Sequence, residues 1–191
     1  MDVISSYPLI GVLDNFLSDE ECDALCESNL EFKRSLGFDF DENLSVESEY
    51  RTSSTCILQS DDYIRQRACR LFSCYFDQFI DVGNFEYPQI QRYNAGEYYK
   101  SHNDFFNYPH NQKIDNDRIA SIIVYLNDDF KQGETEFPLL EKIVKPKKGS
   151  ALFFKYNYDY DTNNLTFHSG LPVSLGTKFI ITLWIRKNKW P

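Results

Sequence analysis

Beyond Gly83 the chain is cut into short β-rich segments by turn signals, and that punctuation limits its fold more than any other feature. The segments are Gln89–Asn94, Tyr98–Asp104, Ile119–Leu126, Ile143–Lys145, Ala151–Tyr156, Thr166–His168 and Phe179–Arg186. Between them lie Asn94-Ala95-Gly96, the Asn/Asp/Pro-rich stretch 107–117, Lys131-Gln132-Gly133, Lys148-Gly149, Asn163-Asn164 and Leu175-Gly176. Gly, Asn and Pro reach turn conformations at little cost, so each marks a reversal. Many short strands at this spacing specify a sandwich or barrel.

The first 83 residues read differently. Tyr7 to Leu13 is a short apolar segment with Pro8 near its start, expected as an edge strand. Ser18-Asp19-Glu20-Glu21 has the form of a capping box, with Ser18 as N-cap. The helix it opens carries Cys22, Leu25, Cys26 and Leu30 as one apolar stripe. The spacing predicts a second helix from about Asp61 to Ile80, with Ile64, Ala68, Leu71, Phe72, Tyr75, Phe76 and Phe79 on a broad aromatic face. Such a face needs a sheet to lie on. Between the helices, Gly37 to Tyr50 is polar and acidic without periodicity and is expected to be a mobile loop. Helices first and strands after make the class α+β, a jelly roll buttressed on one sheet by N-terminal helices. A chain of 191 residues fits one domain, with 1–83 as helical support and 84–191 as the jelly-roll core.

Charge and cysteines narrow the function classes. Twenty Lys+Arg against 29 Asp+Glu give a net charge of -9, which disfavours a nucleic-acid partner. The most basic stretch, Lys142 to Lys148, reads as a solvated loop around Pro146. Five cysteines (Cys22, Cys26, Cys56, Cys69 and Cys74) include no CxxC pair and read as reduced thiols rather than a zinc site. The N-terminus lacks the pattern of a signal peptide and no apolar run spans a bilayer, so the expectation is a cytoplasmic protein with no membrane partner.

Of the three histidines, two fall where a metal site would want them. His102 and Asp104 are alternate residues of an extended segment and so share a face. With His168 arriving from another strand they would form a 2-His-1-carboxylate triad with open positions, the donor set of non-heme Fe(II) oxygenases. His110, in Asn107-Tyr108-Pro109-His110-Asn111, reads as a solvent-exposed loop residue. Ten residues past His168, Lys178 enters the apolar run Phe179-Ile180-Ile181-Thr182-Leu183-Trp184-Ile185. Two readings of Lys178 stay open: a solvated charge at a strand start, or a buried cation that needs an anionic partner such as a dicarboxylate.

The ordered stretches resemble the Fe(II)- and 2-oxoglutarate-dependent dioxygenases, in the prolyl 4-hydroxylase branch of small bacterial or viral type. The matching stretches are Arg92 to Tyr99 leading into His102-Asn103-Asp104, Arg118-Ile119-Ala120-Ser121 leading into Val124-Tyr125-Leu126-Asn127, and Gly133-Glu134-Thr135-Glu136-Phe137-Pro138. They continue with Val144 to Gly149, His168-Ser169-Gly170 with Pro172-Val173, and Gly176-Thr177-Lys178 with Trp184-Ile185; upstream, Asp14 to Ser18 and Arg51-Thr52-Ser53 also match. The resemblance implies a double-stranded β-helix (cupin-like) core. It implies iron ligands at His102, Asp104 and His168, and 2-oxoglutarate contacts at Lys178, Tyr93, Thr135 and Trp184, although by spacing alone Tyr93, Thr135 and Trp184 also suit a packed core. It places Tyr99 and Arg118 toward the substrate peptide. It implies O2 as co-substrate, ascorbate as reductant, succinate and CO2 as products, and a proline-containing peptide or protein as partner of a monomer or homodimer. Lys rather than Arg at 178 points to prolyl hydroxylation. Arg186, where some relatives carry a substrate-contacting histidine, is a departure that bears on peptide preference. The acidic 37–50 segment suggests a basic or polar peptide. The rival readings are the same chemistry on another residue or a free amino acid, a jelly-roll binding module without turnover, and a structural β-domain.

Overall fold

The computed structural model describes residues 1–39, 44–46, 49–59, 62–105, 116–156 and 164–190; His110, Asp41 and Glu42 lie outside them. In chain order the strands are β1 (Asp2–Ser6), β2 (Leu9–Leu13), β3 (Lys33–Arg34), β4 (Gly37–Asp39), β5 (Leu44–Val46), β6 (Ser54–Ile57), β7 (Gln89–Asn94) and β8 (Tyr99–His102). They continue with β9 (Arg118–Tyr125), β10 (Lys131–Gln132), β11 (Thr135–Phe137), β12 (Lys142–Val144), β13 (Ala151–Lys155), β14 (His168–Gly170), β15 (Val173–Leu175) and β16 (Thr177–Arg186). Helix α1 spans Asp19–Glu27 and α2 spans Asp62–Phe72. Among the described residues every strand pair is antiparallel; the large sheet runs β1-β2-β13-β9-β16-β7-β6-β3, and a smaller one runs β12-β11-β14-β8. The class is mixed helix and antiparallel sheet. Among the described residues no helix is long and apolar enough to cross a membrane.

Alternation along the central strands divides the core in two, because successive side chains point to opposite faces. One face of the large sheet presents Ile90, Ile122, Val124, Ala151, Phe153, Ile181, Leu183 and Ile185, which pack with Ile64, Ala68 and Phe72 of α2. The Phe72 ring stacks on Phe153 with centroids 4.8 Å apart. The other face presents Tyr93, Ile123, Tyr125, Leu152, Phe154 and Ile180, which meet Phe137 and Val144 of the smaller sheet. The site lies on this second side.

The capping box forms as expected: Glu21 N–H donates to Ser18 Oγ (3.2 Å) and Ser18 N–H to Glu21 Oε2 (2.8 Å). Arg67 of α2 grips both carboxylate oxygens of Glu21 at 2.6 and 2.8 Å, tying the helices together. Leu30 lies past the end of α1 but still packs against the core. The second helix is shorter than its periodicity predicts. It leaves α-geometry at Phe72, passes through a 3-10 turn at Ser73–Tyr75, and leaves Phe79 at 85% exposure. Serine competes for backbone hydrogen bonds and the aromatic run lowers helix propensity, so the stripe breaks there.

Residues 1–83 are more than helical support, since β1, β2, β3 and β6 all join the large sheet. The 9–13 strand is interior, between β1 and β13; the edge belongs to β1, a segment of five residues too short to read by pattern. The expected loop at 37–50 contains a short ladder, Gly37–Asp39 against Leu44–Val46. Backbone pairing asks for extended geometry rather than apolar periodicity, so an acidic stretch gives no sign of it.

Candidate active site

His102 and His168 are direct cross-strand partners in the β8–β14 ladder. Each ring is oriented by a backbone carbonyl: His102 Nδ1 lies 2.8 Å from Lys100 O, and His168 Nδ1 lies 2.9 Å from Thr166 O. A carbonyl only accepts, so Nδ1 carries a proton in both rings and Nε2 is left to face inward. Asp104, two residues beyond His102, brings Oδ1 to 3.4 Å from His102 Nε2 and Oδ2 to 3.9 Å from His168 Nε2. The three ligand atoms lie within 4.8 Å of one another. Two imidazole nitrogens and one hard oxygen on one side of a cleft fit a non-heme Fe(II) ion.

The electrostatics suit a cation. Burial raises the Asp104 carboxyl, but the hydrogen bond from His102 and the fields of His168, His102 and Arg118 outweigh it, holding the group well below its ordinary value. Burial, with the field of His102, pushes His168 down to about 4, so its ring is neutral at pH 7. A metal needs such a carboxylate and such an imidazole.

The cleft continues inward to Lys178 and is lined by Gln91, Tyr93, Tyr99, Thr135, Thr182 and Trp184 besides the triad. Lys178 is 2% exposed and donates to Gly133 O at 2.7 Å. Among the described residues no carboxylate pairs with it, and burial pushes its ammonium down to about 8 against an upward pull from Glu134. A buried cation lacking a counter-ion settles the choice left open by the sequence: Lys178 faces the interior. Thr135 Oγ1 lies 2.8 Å from the Tyr125 hydroxyl, and the Tyr93 hydroxyl donates to Gln91 Oε1 at 3.1 Å. The Trp184 indole N–H is buried with no hydrogen-bond partner among the described residues. Tyr99 stacks on His102 with centroids 3.5 Å apart, under the Arg51 guanidinium at 5.0 Å.

Arg118, expected to face the substrate peptide, is held beside the cleft by the groups around it. Its Nε and Nη2 bind the Glu86 carboxylate at 2.7 and 3.0 Å, Nη1 donates to Asp104 O, and the guanidinium sits 3.8 Å from the Trp184 ring. An arginine so committed braces the site. Arg186 is also internal, with Nε on Glu86 Oε1 at 2.6 Å. Sequence reasoning missed Glu86, Gln91 and Ser121. Each is a buried polar residue beside or within an apolar segment, and that mismatch was their only signal.

Residues 88–186 match the family model of the 2OG-Fe(II) oxygenase superfamily. The chain is 34% identical to prolyl 4-hydroxylase 1 of Arabidopsis thaliana, an alignment covering 98% of this chain and 72% of that protein. It is also 34% identical to "Probable prolyl 4-hydroxylase 7" of the same plant, covering 95% of this chain but only 64% of the relative's length. The viral collagen prolyl hydroxylase of Paramecium Bursaria Chlorella virus-1, solved as a 2OG complex, superposes with a TM-score of 0.72 at 32% identity, covering 93% of this chain and 95% of that one. A Pseudomonas putida prolyl-4-hydroxylase shares the fold at TM-score 0.59 and 18% identity, covering 96% of this chain and 94% of that one. The chain belongs to the 2OG-Fe(II) oxygenase superfamily, in its prolyl 4-hydroxylase branch, whose members depend on Fe(II) and 2-oxoglutarate.

Proposed function

We propose that His102, Asp104 and His168 hold the Fe(II), that Lys178 anchors 2-oxoglutarate, and that the chain hydroxylates proline residues in a peptide or protein, releasing succinate and CO2. Iron and 2-oxoglutarate bound there would supply O2 activation for attack on an unactivated C–H bond, with ascorbate as reductant. The observation that carries this reading is the sharing of one cleft by a His/Asp/His cluster and a buried lysine that no carboxylate among the described residues neutralises. A dianion matches both ends of that cleft: one carboxylate on the ammonium, the other end on the metal.

The remaining side chains fit supporting roles. Thr135 and Tyr93 offer hydroxyls near the lysine end; turning the Gln91 amide over would make its NH2 the donor and free the Tyr93 proton for a carboxylate. The Trp184 N–H, without a partner among the described residues, is a donor available to a bound molecule. Tyr99, flanking the triad, and Arg118, over the Trp184 ring, are the side chains assigned to the substrate peptide. The two sheets facing across the second core are read as the double-stranded β-helix, one domain with its catalytic core in 84–191. Five free thiols suit a reducing, cytoplasmic setting, and the net charge of -9 suits a peptide rather than a nucleic acid.

Anaerobic titration of the protein with Fe(II) and 2-oxoglutarate tests the cofactor site. A weak visible charge-transfer band is expected in wild type and not in Asp104→Ala; its absence in wild type overturns the reading. For the substrate, mass spectrometry of a proline-rich peptide should show the gain of one oxygen on proline, coupled to succinate formation. Gain on another residue would replace proline as the target.

A further inference from the structure

Resting on the assignment of Asp104 as an iron ligand, we propose that Ser121 and Tyr156 form a hydrogen-bond relay that fixes the Asp104 carboxylate for metal binding, with Ser121 as its positioning residue. The two histidines are held by their strands and by carbonyls, but Asp104 lies beyond the end of β8. Its side chain therefore needs another restraint. Ser121 is fully buried at a cleft-facing position of β9, two residues before Ile123 and four before Tyr125. A hydroxyl in an otherwise apolar stretch of strand is costly to bury unless its hydrogen bonds are made.

Counting protons fixes the direction of the relay. An ionised carboxylate can only accept, so the Ser121 hydroxyl proton goes to Asp104 Oδ2, at 2.6 Å. Ser121 Oγ then has only lone pairs left, and the Tyr156 hydroxyl, also 2.6 Å away, must donate to it. Tyr156 is positioned for this by continuing the cleft-facing alternation of Leu152 and Phe154, and by its own N–H on Ile119 O at 2.9 Å. The short charge-assisted bond occupies Oδ2 and stops the carboxylate plane from turning. Oδ1 is thereby kept on the side of His102 Nε2, while Arg118 holds the Asp104 main-chain carbonyl at 3.1 Å. One arm restrains the side chain and the other the backbone.

The test is Fe(II) affinity, read anaerobically from the charge-transfer band at saturating 2-oxoglutarate, beside the thermal midpoint of the metal-free protein. Ser121→Ala should weaken Fe(II) binding by roughly 10- to 100-fold, the usual cost of losing a partner to a metal ligand. Ser121→Thr keeps the hydroxyl and should stay within about twofold of wild type. Tyr156→Phe removes one neutral hydrogen bond from the far end and should weaken binding roughly fivefold. A role in packing alone would lower the midpoint and leave the Fe(II) affinity unchanged, which overturns the proposal. Should Ser121→Ala fail to fold, wild-type affinity in Tyr156→Phe overturns it equally. A wild type without the band sinks the iron assignment itself; a normal wild type with unaffected variants sinks only the relay.

Discussion

The two sides of β16 show opposite uses of one strand. Toward the helices it presents Phe179, Ile181, Leu183 and Ile185, all absorbed into a continuous apolar core. Toward the cleft it presents Lys178, Ile180, Thr182 and Trp184. Among the described residues, that second row includes a buried ammonium without a counter-ion and an indole N–H without an acceptor. Such groups cost stability in the protein alone, because desolvation is not offset. The proposed cofactor site gives them a purpose, since a bound 2-oxoglutarate would partner the ammonium. The helix side of β16 thus serves packing, while its cleft side combines packing at Ile180 with polar groups available to the proposed ligand, a division that period-two alternation allows.

Substitution on the two faces should separate these uses. Leu183→Ala opens a cavity on the helix side and should cost about 3 kcal/mol. For a domain of this size that lowers the midpoint by about 9 °C in thermal melts. Fe(II) and 2-oxoglutarate affinities, measured well below the melt, should be unchanged. Lys178→Met is the reverse experiment on a neighbouring stretch of the same strand. It removes a buried charge at nearly constant volume, so the metal-free midpoint should rise or hold. The KM for 2-oxoglutarate should rise about 100-fold, the scale for losing one partner of a buried charge pair. Loss of stability in Lys178→Met with an unchanged KM would erase the distinction between the faces.

A smaller effect follows from the lowered Lys178 ammonium. Burial pushes this ammonium down to about 8, and a carboxylate held by the proposed anchor favours the charged form, so 2-oxoglutarate binding above that pH should take up a proton. The dissociation constant at saturating Fe(II) should be flat below pH 8 and rise about tenfold per unit above it. Lys178→Arg, which does not titrate in this range, should abolish the slope even if it weakens binding overall. A rise on the acid side instead would assign the titration to another group.

Much of this arrangement was legible in the residues. The β-rich runs Ile119–Leu126 and Phe179–Ile185, set off by turn signals, gave the central strands, and Ser18 with Glu21 gave the first helix cap, because these signals are local. The gathering of His102, Asp104, His168 and Lys178 in one cleft was foreseen because metal and anion chemistry would call on few residue types. What stayed hidden was long-range. Pairing of Asp2–Ser6 with Leu9–Leu13 and of Lys33–Arg34 with Ser54–Ile57 depends on neighbours that only the assembled sheet supplies. The same holds for the pairing of Arg118 with Glu86, an acceptor 32 residues earlier in the chain.

The smallest expected effect concerns where the helix-facing core ends. A stripe carried on to Ile80 would make Phe79 a core residue, and Phe79→Ser would then cost as much as a buried aromatic truncation, about 3 to 5 kcal/mol. The chain instead leaves α-geometry at Phe72, and Phe79 emerges into solvent while Tyr75 and Phe76 turn back onto Phe153. Ring centroids of 5.7 and 6.2 Å for those two pairs mark them as the last aromatic contacts of that run with the sheet. Phe79→Ser should therefore change stability by less than about 0.5 kcal/mol in denaturant unfolding. Phe76→Ser, by contrast, removes an edge-on contact with Phe153 and should be clearly destabilising, by about 1 kcal/mol or more. Equal losses in the two variants would mean that the apolar face reaches further along the chain than residue 76, and that the division between a stabilising and a binding side of the sheet has been drawn too tightly.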